Sequence, residues 1–218
     1  MEASALASTA SLCTHPRPPP RRSCAAVFSS DPTQWYNGVV SVRKLLSQAS
    51  NPPVDAVIKA GLLPRLVALL QSPDARLLVE TAWAITNIAS TDRTADVVAS
   101  GAIPALVQHL FHADPAVRDQ SVWCLGNIAG DSPKFRDQLI ATPNAVQGIF
   151  LNVQHPASLP LLRNATWTLS NFCRGKPAPA PSMVQPLIPA LAYLVQQEDK
   201  EIVSDAAWGL SHLTDGDE

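Results

Sequence analysis

Self-similarity at an interval of about 40 residues constrains this chain more than any other feature. The stretch "AGLLPRLVALLQSPDARLLVETAWAITNIAS" from Ala60 aligns with "SGAIPALVQHLFHADPAVRDQSVWCLGNIAG" from Ser100, and Gly, Pro, Leu, Trp and Asn recur at a fixed offset of 40. A third copy, "PLIPALAYLVQQEDKEIVSDAAWGLSHLTDG", keeps the internal spacing: Pro64 to Trp83, Pro104 to Trp123 and Pro189 to Trp208 are each 19 residues. Between them lies a degenerate copy that ends in "ATWTLSNFCRG" and lacks the proline, so the tryptophans fall at 83, 123, 167 and 208. A period of this length without strand-like alternation predicts an all-helical solenoid, in which each unit buries its apolar face against its neighbours.

Each unit reads as a short helix, a second helix opened by Gly-x-x-Pro, and a long third helix. Proline is tolerated in a first helical turn because its missing N–H would have no partner there. Turn residues in "QSPDA" and "HADPA" separate the second and third helices. Three helices per unit favour the armadillo type over two-helix HEAT units. The expected fold is therefore all-α, a right-handed armadillo-repeat superhelix of four to five repeats. A partial repeat is expected at about 35–50, followed by repeats at about 51–91, 92–131, 132–175 and 176–218. Residues 1–34 are rich in Ala, Ser and Pro, carry Arg17, Arg21 and Arg22, and hold the acidic residues Glu2 and Asp31 near their two ends. That composition reads as a disordered tail or, at residues 1–30, as an organelle transit peptide, which shares its arginine and serine content.

Composition excludes several functions. A formal charge of −2 with 16% charged residues argues against non-specific nucleic-acid binding. No apolar run approaches the roughly 18 residues of a membrane span. Cys13, Cys24, Cys124 and Cys173 have no paired spacing, and the last two sit in apolar helical patterns where a reduced thiol packs as a small hydrophobe, in keeping with a reducing compartment. His15, His109, His112, His155 and His212 form no metal-spaced set, so neither metal nor other cofactor is expected; "HLFH", His109 to His112, reads as an exposed pair on a second helix. No phosphate loop or nucleophile motif points to an enzyme.

On a helical projection at about 100° per residue, Thr86, Asn87 and Ser90 fall on the side of Trp83, while Ala82, Ile85, Ile88 and Ala89 occupy the other. Trp123 projects with Gly126, Asn127 and Gly130, and Trp167 with Ser170, Asn171 and Arg174. A lone tryptophan would be read as core. Four in register predict a surface of alternating indoles and carboxamides along the concave side. Asparagine can bond the N–H and C=O of an extended peptide, and slots between indoles accept lysine or arginine stems, each cation–π contact contributing roughly 0.5 to 2 kcal/mol. Asp131 is the foremost acidic candidate at the rim, with Glu80, Asp96, Asp119, Asp205 and Asp215 nearby. The pattern predicts a groove for an extended basic peptide.

The motifs "AWAITNIAS", "VRDQSVWCLGNIAGDSPKFRD", "LLRNATWTLSNFCRGKPAPAP" and "SDAAWGLSHLTDG" closely resemble the second to fifth armadillo repeats of the importin alpha family, and "RKLLSQASNPPVDAVIKAGLLPRL" resembles the end of its first. The resemblance covers about residues 39–218. It implies a nuclear-import adaptor of the cytoplasm and nucleus, whose cargo partners carry lysine/arginine-rich nuclear localisation signals. The implied signal-binding residues are Trp83 and Asn87, Trp123 and Asn127, Trp167 and Asn171, with Asp131 pairing the principal lysine and Gln120, Thr94 and Trp208 contributing. Departures from the family pattern predict changes: the glycine after "NIAS" is absent, which should weaken the lysine pocket, and His212 replaces a usual tyrosine beside Trp208. A basic importin-beta-binding segment is not recognisable. The chain stops after the fifth repeat, which should leave the apolar face of the last helix uncovered. A scaffold that has lost cargo binding is the alternative reading.

Overall fold

The computed structural model describes residues 21–214. Among the described residues the chain is helical and contains no strand. Helices α1 (Arg21–Val27) and α2 (Trp35–Leu46) come first, joined through a 3-10 turn at Pro32–Gln34. The triplet of short, middle and long helix then recurs four times: α3 (Val54–Lys59), α4 (Leu62–Leu69) and α5 (Ala75–Ala89); α6 (Thr94–Ala99), α7 (Ala102–His109) and α8 (Pro115–Asp131); α9 (Pro133–Ile140), α10 (Ala145–Gln154) and α11 (Leu159–Cys173); α12 (Pro181–Val184), α13 (Ile188–Leu194) and α14 (Lys200–Thr214). In the last triplet the short helix runs into a second 3-10 turn, Gln185–Leu187.

Local chemistry places the joints. Gly61 and Gly101 end the short helices with φ of +72° and +80°, a left-handed conformation that glycine takes without steric penalty. The third triplet lacks that glycine, and Asn144, at φ +67°, stands in its place, asparagine being among the side chains that best tolerate this region. The long helices begin at Asp74, Asp114 and Ser158, whose side chains accept from the N–H groups of Arg76, Ala116 and Leu161.

Packing is serial. The long helices lie side by side in the order α2, α5, α8, α11, α14. One continuous core runs through every unit, including Leu66, Ile85, Leu106, Leu125, Ile149, Leu169 and Leu191, all fully buried. Each such side chain contributes roughly 1.5–3 kcal/mol by leaving water. Leu210 and Leu213 of α14 are half-buried against the same core.

Two expectations are corrected. The tail expected as far as residue 34 is structured from residue 21: Val27 is fully buried, the Trp35 indole donates to Ser29 O at 2.8 Å, and Arg65 bonds Val27 O at 3.0 Å while its guanidinium lies 4.7 Å from the Trp35 ring. Residues 1–20, which include Cys13, His15, Arg17 and most of the transit-like stretch, lie outside the described residues. His109 is buried rather than exposed, because its ring reaches across to Leu70 O at 2.9 Å and ties α7 to the end of α4. His212, in the place of the tyrosine, stacks on Trp208 with ring centroids 5.9 Å apart. Cys124 and Cys173 are buried, and burial pushes both thiols up to about 12.

Candidate functional site

The long helices carry Trp83, Trp123, Trp167 and Trp208 at one register. Trp123 and Trp208 are 38% and 60% exposed, and Trp83 and Trp167 are half-buried, so all four indoles reach the surface. Trp167 packs onto α8 over Gly126, the residue three places after Trp123. At Gly126 a Cβ would stand 2.4 Å from Cζ3 of Trp167, so only a bare Cα leaves room for that ring on α8. Four residues on, a Cβ at Gly130 would meet the Asn171 amide at 3.0 Å.

The asparagine amides are already partly engaged. Asn171 donates from Nδ2 to Gly126 O at 3.1 Å, and Asn127 donates likewise to Thr86 O at 3.4 Å. Asn87 donates to Ser47 Oγ at 2.8 Å. Each amide therefore leans on the preceding unit with one N–H and keeps its second N–H and its Oδ1 for other partners. The bond also explains why Asn171 is buried, at 3% exposure, although it projects with the indoles.

The ladder has a first rung that the sequence reading missed. Arg43 of α2 and Ser47, which caps that helix, stand 40 residues before Trp83 and Asn87, in the tryptophan and asparagine registers. The Arg43 guanidinium lies 4.3 Å from the Trp83 ring centroid and bonds both carboxylate oxygens of Glu80, at 2.7 and 3.2 Å. Glu80 is thus not a free rim carboxylate as expected; it holds an internal arginine on an indole. Extending the 40-residue count one step back would have found both residues.

Two cavities open along the same face. One, of about 210 Å³, is lined by Thr94, Asn127, Asp131, Trp167, Asn171 and Arg174 together with the end of α5. The other, of about 320 Å³, lies between Trp167 and Trp208, with Ser170, Asn171, Arg174, Asp205 and His212. The structure so brings together five of the expected site residues at the first cavity. Trp123 and Gln120 line neither, and Gln120 Oε1 is buried with no protein partner. Thr94 is buried and its hydroxyl faces Ala89 O at 2.9 Å and Thr91 O at 3.0 Å.

The other acidic candidates divide. Asp131 is exposed at the mouth of the smaller cavity. Burial, reinforced by Glu201, raises the Asp205 carboxyl above its ordinary value. Asp119 accepts from Asn164 at 2.8 Å, and Asp96 pairs loosely with Arg93 at 4.0 Å. Asp215 lies outside the described residues. A further residue that was not singled out, Arg174, lines both cavities, and its backbone is fixed by the fully buried Arg136, which donates to Arg174 O at 2.6 Å and to Pro177 O at 3.0 Å. Nothing in the spacing marks Arg136, because its partners are backbone carbonyls of a loop.

Comparison with known proteins agrees with the repeat architecture. The armadillo/beta-catenin-like repeat family matches residues 50–90 and 90–130. The chain is 47% identical over 194 residues to importin subunit alpha-1b of Oryza sativa, and 51% identical over 199 residues to importin subunit alpha-3 of Caenorhabditis elegans. These alignments take in 88% and 90% of this chain but 36% and 38% of those relatives, so the chain spans little more than a third of their length. In fold it matches a designed armadillo repeat protein in complex with the peptide (KR)4, with a TM-score of 0.78 at 24% identity over 88% of this chain and 80% of that one. The chain carries armadillo repeats, and over most of its length it is similar to importin alpha proteins.

Proposed function

We propose that the chain binds extended lysine/arginine-rich peptides of the nuclear-localisation-signal class along its row of long helices, as a nuclear-import adaptor working between cytoplasm and nucleus. The observation that carries this reading is the 210 Å³ cavity at which Asn127, Asp131, Trp167 and Asn171 converge. There an indole face and a carboxylate would receive one basic side chain, while amide N–H and C=O groups would hold the peptide main chain. Arg43 illustrates the chemistry inside the protein, since Trp83 and Glu80 hold its guanidinium in the way that a ligand's would be held. The work is binding and not bond-making. No described helix is long and apolar enough to cross a membrane.

A second reading, an armadillo scaffold without cargo binding, is favoured by two observations. The Thr94 hydroxyl is turned to its own backbone, and the cation Arg174 stands at both cavities. Fluorescence anisotropy separates the two. A labelled lysine-rich localisation peptide is expected to bind saturably, more weakly at higher salt, and to lose most of its affinity when its key lysine is threonine or when the protein carries Asp131→Lys. Asp131 is the better variant because its carboxylate bonds nothing that holds the fold, whereas Asn127 also ties α8 to α5. Absence of saturable binding by a folded, helical chain would decide for the scaffold.

A further inference from the structure

Away from the groove, the junctions between successive middle helices repeat one arrangement, and one junction lacks a part. Between α7 and α10, the buried Asn152 donates from Nδ2 to Leu110 O at 3.0 Å, and its Oδ1 accepts from Arg118 Nε at 3.0 Å. The Arg118 guanidinium also donates from Nη1 to His112 O at 2.8 Å and to Ala113 O at 3.2 Å. Three neutral oxygens hold this cation at the carboxyl end of α7, where the helix dipole favours positive charge.

One repeat earlier, every member of that set has a counterpart except the cation. His109 stands eight residues after the left-handed Gly101, as Asn152 stands eight after Asn144, and it meets Leu70 O at 2.9 Å as Asn152 meets Leu110 O. Leu70 O can only accept, so Nε2 carries the proton and the neutral ring presents Nδ1 as an acceptor. Nδ1 is buried and without a partner. The place of Arg118, five residues before Trp123, is taken by Leu78, five before Trp83. Leu78 is buried yet lies outside the continuous core. At the third junction the corresponding pair is Leu162 and Leu194, apolar with apolar. The α4–α7 junction alone of the three pairs an apolar residue with a buried polar one, and there a cavity of about 510 Å³ opens, lined among others by Leu70, Ser72, Leu78, His109 and Phe111.

We propose that this cavity binds a guanidinium supplied in trans, the arginine side chain of a partner peptide, which takes at His109 Nδ1 and the carbonyls ending α4 the place that Arg118 fills one junction further on. A buried acceptor left unpaired is destabilising, and a planar multi-donor cation satisfies it together with the neighbouring carbonyls. Arg76, the nearest arginine along α5, is turned away to Asp74 at 3.1 Å and toward the Tyr36 ring. Phe111, exposed at the cavity, offers a ring face to the arginine stem. No tryptophan or asparagine of the groove lines the cavity, so the site stands apart from the proposed localisation-signal ladder.

The test follows the His109 ring nitrogens and the Phe111 ring by NMR while N-acetyl-arginine methylamide is titrated into the full chain. A saturable shift of Nδ1 is expected, and the lysine analogue should give at most a tenth of that affinity. Leu78→Arg, which supplies the guanidinium in cis, should abolish the response, and His109→Leu should abolish the saturable shift at Phe111. An unmoved Nδ1 resonance, equal response to the lysine analogue, or an unchanged Phe111 shift in His109→Leu would overturn the proposal; the last comparison decides should Leu78→Arg fail to fold.

Discussion

At the residue scale, the groove depends on what is small as much as on what is large. Trp167 lies on α8 because Gly126 has no Cβ, and a methyl group there would stand 2.4 Å from the ring. Gly126→Ala is therefore expected to destabilise the chain by about 1–3 kcal/mol, the usual consequence of overfilling a packed contact. Urea unfolding measures the loss, and tryptophan emission should shift red as the indole lifts into water; an unchanged spectrum and midpoint would mean that Trp167 does not rest on Gly126. The tryptophans and asparagines were legible in the sequence because their spacing equals the repeat. The meaning of Gly126 was not, since Trp167, which constrains it, belongs to the next unit, about 40 positions away in the chain. The same distance hid the second role of the asparagines: Asn171 presents an amide to the groove and also ties α11 to Gly126 O.

At the scale of the helices, the three-helix unit was legible down to its joints, since glycine before the middle helix and aspartate before the long helix act through local geometry. The degenerate unit kept the joint with Asn144, a substitution whose logic is conformational and not compositional. The role of α2 was less legible. Arg43 and Ser47 share no side-chain type with Trp and Asn, and only the count of 40 places them in the ladder. Arg43→Ala should destabilise the chain by about 1.5–3 kcal/mol, because a half-buried carboxylate loses a charged hydrogen-bond partner. It should also expose the Trp83 face and Glu80, so that a longer arginine-rich peptide binds tighter to the variant than to the parent. Denaturation and anisotropy on the same protein separate the two effects. At the α4–α7 junction a pH effect belongs to the element pair. Burial holds the His109 imidazole below its ordinary value of 6.5, against the opposing bond to Leu70 O, and His112 reinforces the shift. The unfolded chain then takes up more protons than the folded one between those two values, so stability falls as pH drops through about 6.5 and levels off below the folded value. His109→Asn keeps a donor for Leu70 O and should remove this slope from urea midpoints collected between about pH 7 and pH 5.

At the scale of the whole molecule, the serial packing makes the groove a one-dimensional object whose length sets what it can hold. Neighbouring helix axes stand roughly 8–10 Å apart, and an extended peptide advances about 3.3–3.6 Å per residue, so each step along the long helices passes between two and three peptide residues. The rung at Trp83 is occupied by Arg43, and the two cavities of the face lie from the end of α5 to α14. The span open to a ligand therefore runs over three helix-to-helix steps, about 24–30 Å, or roughly seven to nine residues. Affinity across a series of oligolysines should rise steeply up to about that length and then flatten, since further residues would meet Arg43 at one end. With Arg43→Ala the plateau should move outward by two to three residues, one helix step, at roughly the same spacing. Anisotropy competition at constant salt measures both curves. A plateau at the same length in parent and variant would show that Arg43 does not close the ladder. A smooth increase without a plateau would show that attraction to the chain's charge, and not the ladder, holds the peptide.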